Sequence, residues 1–203
     1  MENFLRVLMM GIVSLAFVSV NAADALPSPY ESVKTVTDSL LEKLVEIQPY
    51  YESDSERFFR EIETSLGPFI DFKGFSRGVM AKYYRRASEQ QKDRFVSVFQ
   101  SSLIHTYATA LVEFDNQQVV VKESNAPQKD PKKARVNLEV TGNDGTVYPV
   151  EYSLVLIDGD WKLRNLVING INIGLQFRSQ FSAYMQQHKN NIDKVIENWK
   201  VDG

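Results

Sequence analysis

The chain predicts an α+β fold: a four-stranded antiparallel meander sheet wrapped by several helices, with an apolar pocket between sheet and helices. Three observations predict it. Apolar residues recur at helical spacing from Tyr30 to Leu111, alternate with a period of two from Gln117 to Ile168, and return to helical spacing after Gly170.

The first helix, Tyr30 to Ile47, places Val33, Val36, Leu40, Leu44 and Ile47 on one face, and Pro49 ends it. Ser53 and Asp54 suit the cap of a second helix carrying Phe58, Phe59, Ile62 and Leu66, closed by Gly67-Pro68. A third helix is expected from about Asp71 to Arg86. Ser88 and Gln91 have capping-box spacing and open a long helix bearing Phe95, Phe99, Leu103, Tyr107 and Leu111. Val119 to Lys122 reads as the first strand, followed by a polar loop from Ser124 to Lys133. The second strand alternates Ala134, Val136, Leu138 and Val140 against Arg135, Asn137, Glu139 and Thr141. Asn143-Asp144-Gly145 turns into the third strand, Val147 to Ile157, and Asp158-Gly159 into the fourth, Trp161 to Ile168. The final helices carry Phe177, Phe181, Tyr184, Met185, His188, Ile192, Val195 and Trp199 on one side.

The last two strands are more apolar than a half-buried strand requires. Tyr148, Val150, Tyr152, Leu154 and Leu156 share one face of the third strand. Trp161, Leu163 and Val167 share one face of the fourth, opposite Leu166 and Ile168. Helices on both faces of the sheet account for this, and so does a cavity lined by one face. Periodicity leaves both readings open.

Arg6 is followed by an apolar run from Val7 to Val20 and then by small residues at Asn21, Ala22, Ala23 and Ala25. That order is expected of a cleavable export signal over residues 1–22, with cleavage possible up to 25, and leaves residues 23–203 as a single domain. The run is shorter than the roughly 20 apolar residues of a membrane span. No cysteine and no Asn-x-Ser/Thr acceptor occurs in the 203 residues, which suits a bacterial periplasm better than a disulfide-stapled secreted fold. A formal charge of −3 lacks the basic face of a nucleic-acid binder.

Catalytic signals are weak. Gly74-Phe75-Ser76-Arg77-Gly78 matches the G-x-S-x-G pattern, but Phe69 to Lys73 is too short and mixed for the buried strand a nucleophile elbow needs. Close packing of glycines on a neighbouring element is the simpler reading. His105 and His188 each sit on an apolar helical stretch, and neither has metal-ligand spacing. Neither a cofactor nor a metal is expected. Asn165 is the main polar intruder among the sheet-facing positions.

Several pieces, in one order, resemble the toluene-tolerance, MlaC-type periplasmic phospholipid-binding proteins. They are Phe72-x-x-Phe75, Tyr83-Tyr84-Arg85-Arg86-Ala87-Ser88-x-x-Gln91, Phe95 to Phe99 and Thr106-Tyr107-Ala108-x-Ala110-Leu111 in the first half. In the second they are Val150-x-Tyr152, Gly159-Asp160-Trp161-Lys162-Leu163, Val167-x-Asn169-Gly170 and Arg178-Ser179-Gln180-Phe181. The chain departs from the family's usual residues at Tyr84, Asn165 and Asn172. The resemblance implies a non-catalytic periplasmic carrier that shuttles phospholipid between outer and inner membranes and maintains outer-membrane lipid asymmetry. Its implied partners are an outer-membrane lipoprotein–porin complex and an inner-membrane ABC transporter with an MCE-domain subunit. Laid over the periodicity, it nominates Met80, Tyr84, Phe99, Leu103, Tyr107, Leu111, Leu138, Val140, Tyr152, Leu154, Leu156, Leu163, Val167, Phe177 and Phe181 as acyl-chain contacts. Gly67-Pro68, Gly74, Gly78, Gly170 and Gly174 serve as hinges or as ordinary caps.

Two other readings remain: an envelope adaptor that holds no lipid, and a small-molecule enzyme with an apolar cavity. A large void without charged lining favours the carrier. A filled core favours the adaptor, and a buried His or Asp beside a cavity the enzyme.

Overall fold

The computed structural model describes residues 27–112, 118–123, 129–142 and 144–200. The expected export signal, part of the Ser124 to Lys133 loop, and Asn143 of the first hairpin turn lie outside the described residues.

Seven α-helices and five strands are described. Helix α1 is Pro29–Ile47, α2 Tyr50–Ser53, α3 Ser55–Leu66, α4 Phe72–Met80 and α5 Glu89–Val112. Strands β1 to β5 are Gln118–Lys122, Lys133–Thr141, Val147–Ile157, Asp160–Ile168 and Ile171–Asn172; α6 is Ile173–Gln187 and α7 Ile192–Glu197. The sheet is an antiparallel meander in the order β1-β2-β3-β4-β5. It has one strand more than the four expected, because a two-residue β5 is too short to carry a period.

Local chemistry explains the helix ends. Asp54 caps α3 by accepting from Arg57 N at 3.0 Å. Ser88 and Gln91 close the capping box of α5 in both directions, at 3.0 and 3.2 Å. The expected helix to Arg86 stops earlier. Ala81, at φ 47°, breaks α4, and a 3₁₀ turn over Ala81–Tyr83 follows. Asp158 and Gly159 both take positive φ, 52° and 89°, as the tight turn between β3 and β4 needs.

One irregularity resets the sheet. Leu154 pairs with Leu163 but Ser153 pairs with Asn165, so Arg164 has no partner on β3. This bulge inverts the alternation of β4. Trp161 and Leu163 share the inward face before it, whereas Leu166 and Ile168 do so after it, opposite Tyr152 and Val150. Val167, grouped with Trp161 and Leu163 by simple alternation, therefore falls on the other face, in a shallow depression with Asn137, Glu139 and Glu151. That face carries the cross-strand ion pairs Lys122–Glu139 (2.6 Å) and Arg135–Glu151 (3.6 Å).

The bulge also fastens α4 to the sheet. Asp71 N donates to Leu163 O at 2.8 Å, and the Asp71 carboxylate caps α4 by accepting from Gly74 N at 2.8 Å. The same carboxylate receives two hydrogen bonds from the Arg164 guanidinium. A Cβ at Gly74 would collide with the Asp71 carboxylate, so this glycine is a tight joint. Gly78 has no such neighbour. Asp71→Ala removes both the cap and the ion pair, and is expected to cost about 2 kcal/mol in thermal unfolding.

Two apolar clusters result. One joins helices around the aromatic side chains of Phe75, Phe95, Phe99, Phe177, Phe181 and Trp199. The other joins Val33 and Phe69 to the inward residues of β2, β3 and β4.

Candidate functional site

The two clusters do not close on each other. Between them lies a cavity of about 820 Å³, walled by α1, the end of α3, α5 and the inward face of the sheet. Alternation explains the sheet wall: Leu138 and Val140 from β2, and Val150 and Tyr152 from β3, point the same way. Leu40, Leu41 and Leu44 on α1 and Leu103, Tyr107 and Leu111 on α5 supply the opposite wall at helical spacing.

Among the described lining residues only Asp144 and Tyr148 are exposed, and they mark the mouth. Asp144 is also the one charged side chain in the described lining. Its carboxylate accepts from Thr146 N and Thr146 Oγ1, which holds its pKa below the usual carboxylate range. The C-terminal ends of α1 and α5 lie together, since Gln48 Nε2 donates to Val112 O at 2.9 Å. The floor lies at the other end, where Trp161 Nε1 donates to Pro27 O beside the start of α1.

Tyr107 and Tyr152 are crowded by protein, and burial pushes both hydroxyls above the ordinary phenol range. Both nevertheless keep accessible surface, because that surface faces the cavity.

Of the fifteen residues nominated from sequence, seven line the cavity: Leu103, Tyr107, Leu111, Leu138, Val140, Tyr152 and Leu163. The structure places the others elsewhere. Met80, Phe99, Phe177 and Phe181 are fully packed in the helical cluster, and Tyr84 lies at its edge beneath Arg77 and Lys92. Leu154 and Leu156 pack in the sheet cluster beyond the floor, and Val167 is on the far face. The sequence reading missed the α1 residues, together with Leu66, Phe69, Ile70, Val119, Leu166 and Ile168. The 3–4 stripe on α1 was visible, but nothing in it says that its partner is empty space.

The G-x-S-x-G serine is fully buried and donates to Lys73 O at 3.1 Å, with no histidine as partner. His105 packs on the Phe59 ring at 4.1 Å between centroids, and His188 lies near Tyr184. Neither histidine lines the cavity. Asn165, the expected polar intruder, accepts from Gly174 N at 2.9 Å and donates to Asn172 Oδ1, the cap of α6. It is an anchor for that helix, and a Cβ at Gly174 would strike it.

The family model described as MlaC protein matches residues 34–201. The chain belongs to the MlaC family. The toluene tolerance protein ttg2D of Pseudomonas putida is 42% identical over 176 residues, 86% of this chain and 81% of that protein. The intermembrane phospholipid transport system binding protein MlaC of Haemophilus influenzae is 23% identical over 162 residues, 78% of this chain and 75% of that one. A phospholipid-binding protein from Ralstonia solanacearum, solved with a phospholipid bound, superposes with a TM-score of 0.76 at 23% identity. That match covers 84% of this chain and 94% of its own. The likeness to this structure is one of fold. Among the described residues no helix is long and apolar enough to cross a membrane.

Proposed function

We propose that this MlaC-family chain is a non-catalytic phospholipid carrier that works in the periplasm and moves lipid between the outer and inner membranes. The observation that carries the reading is the 820 Å³ apolar cavity with its single mouth charge. A cavity of this volume with an almost wholly apolar lining has room for hydrocarbon chains and offers few partners to a polar cargo. Each methylene left in water costs about 0.8 kcal/mol, which makes unescorted crossing of an aqueous gap prohibitively slow. The relatives named for phospholipid transport and phospholipid binding support the same cargo.

In this reading residues 23–203 act as one lipid-binding domain after removal of the export signal. Leu103, Tyr107, Leu111, Leu138, Val140, Tyr152 and Leu163 touch the acyl chains, with the headgroup at Asp144 and Tyr148. The carrier exchanges its lipid with an outer-membrane lipoprotein–porin complex and an inner-membrane ABC transporter bearing an MCE-domain subunit. The enzyme reading has less support, because no histidine or buried carboxylate lines the cavity among the described residues.

An empty cavity of this size is costly. At about 24 cal/mol per Å³ a dry void of this volume would cost ~20 kcal/mol, more than the 5–15 kcal/mol stability of a domain, so the lipid-free protein is expected to admit water or close in on the space. Loading a delipidated sample from phospholipid vesicles is therefore expected to raise the thermal midpoint. Occupancy at a hundredfold excess over Kd adds about 2.7 kcal/mol, or ~5–10 °C for a chain of this length. An unchanged midpoint with no lipid taken up would favour the adaptor.

A further inference from the structure

We propose that the corner where α4 turns into α5 is a docking surface for an anionic lipid bilayer, held by lysine and arginine side chains and separate from the cavity. The inference rests on the carrier reading for the membrane it meets, and goes beyond it in saying how the protein is held there.

Charge is unevenly placed along the chain. Residues 72–92 hold six Lys or Arg and one Glu, a formal +5 in a chain whose total is −3. Lys73, Arg77, Lys82, Arg85 and Arg86 are all exposed. Among the described residues none of these five forms an ion pair, and Glu89 is taken by Lys92 at 2.6 Å. The run ends at the next cation along α5, Arg94, which pairs with Asp193 at 2.8 Å.

The fold gathers these charges. Ala81, at φ 47°, ends α4 and turns the chain back. Arg77 of α4 and Lys92 of α5 then both lie over the Tyr84 ring, at 5.4 and 4.5 Å. Lys82 lies over Tyr83 at 5.0 Å. Arg178 of α6 joins them, its Nε donating to Gly78 O at 3.0 Å. Two tyrosine rings and a carbonyl thus hold the cations together without neutralising them.

The chemistry of the corner favours a bilayer over a protein. A tight protein interface is built on a desolvated apolar or aromatic centre. None of the large apolar side chains that stand exposed among the described residues belongs to residues 72–92, and Tyr83 is itself buried. A bilayer of anionic headgroups needs no such centre, since each Lys or Arg near its surface tightens binding about fivefold.

Docking here leaves the cargo route open. None of these cations lines the cavity. Lys92 stands in the first turn of α5 and Leu111 of the cavity wall in the last, roughly 30 Å apart at 1.5 Å per residue. A carrier held by this corner concentrates at the membrane surface with its mouth uncovered.

The test floats the processed protein with vesicles of phosphatidylcholine, alone or with about one-third phosphatidylglycerol. Binding is expected on the anionic vesicles only. It should be lost at about 1 M salt, where the screening length falls to about 3 Å. Arg85→Gln/Arg86→Gln should weaken it roughly 25-fold, two charges at about fivefold each. Arg57→Gln/Arg60→Gln removes the same charge from exposed positions on α3 and should bind as the wild type does. Phospholipid uptake by all three, read by mass spectrometry of the unbound protein, should be equal, which shows that each is folded. Wild-type protein that ignores anionic vesicles overturns this inference, and so do two variants that bind alike. Retention on immobilised polyglutamate without vesicle binding overturns it in favour of an acidic protein. The carrier reading stands in each of these cases while lipid is taken up, and falls if none of the three proteins takes up any.

Discussion

Replacing Leu103 and Val140 together with tryptophan is expected to lower phospholipid loading at least tenfold and leave the protein folded. The two positions lie on opposite walls, α5 and β2, and both are only half-buried because part of each side chain faces the void. An indole at each position grows into empty space rather than into packed neighbours, so the overpacking penalty of a filled core does not apply. Excluding as few as two methylenes of lipid costs about 1.6 kcal/mol, already more than tenfold in affinity. The lipid-free thermal midpoint should stay level or rise as the void shrinks. Vesicle uptake and thermal unfolding of the same sample read the two effects. A lost midpoint with intact uptake in the folded fraction would mean that these walls are packed core.

Phe99→Ala should produce the opposite pattern. Phe99 is fully buried among Phe75 at 5.1 Å, Phe177 at 5.5 Å and Phe95 at 5.7 Å between ring centroids. Truncation leaves a cavity in a cluster that joins α4, α5 and α6, at a cost of about 3–5 kcal/mol. For a chain of this length that lowers the midpoint by ~10 °C. Because Phe99 does not line the cavity, protein that remains folded at low temperature should load phospholipid as the wild type does. The pair of predictions separates residues that hold the scaffold from residues that hold the cargo.

That separation was not legible in the sequence. Phe95, Phe99, Leu103, Tyr107 and Leu111 form one stripe on α5, and helical periodicity correctly marks it as buried. The stripe meets two different environments, aromatic packing for its first half and the cavity for its second. Spacing reports which face turns inward and is blind to what it meets. The sheet shows a second limit. Alternation on β2 and β3 carried through intact, but the unpaired Arg164 inverts β4, and no local signal announces such a bulge. The Arg164–Asp71 pair explains its position only once α4 is in place. Caps and turns, by contrast, were readable at Asp54, Ser88, Gln91 and Asp158-Gly159, because their chemistry is contained within four residues.

The structure also settles the character of several glycines. Gly74 and Gly174 are pinned under Asp71 and Asn165, so α4 and α6 meet the sheet through fixed joints.

Native mass spectrometry of the protein isolated from the envelope fraction distinguishes a loaded lipid carrier from an empty adaptor. A carrier is expected to show a mass above that of the processed chain by one phospholipid, and to yield a matching lipid on extraction. A bare polypeptide mass that stays bare after incubation with phospholipid vesicles would contradict the carrier reading.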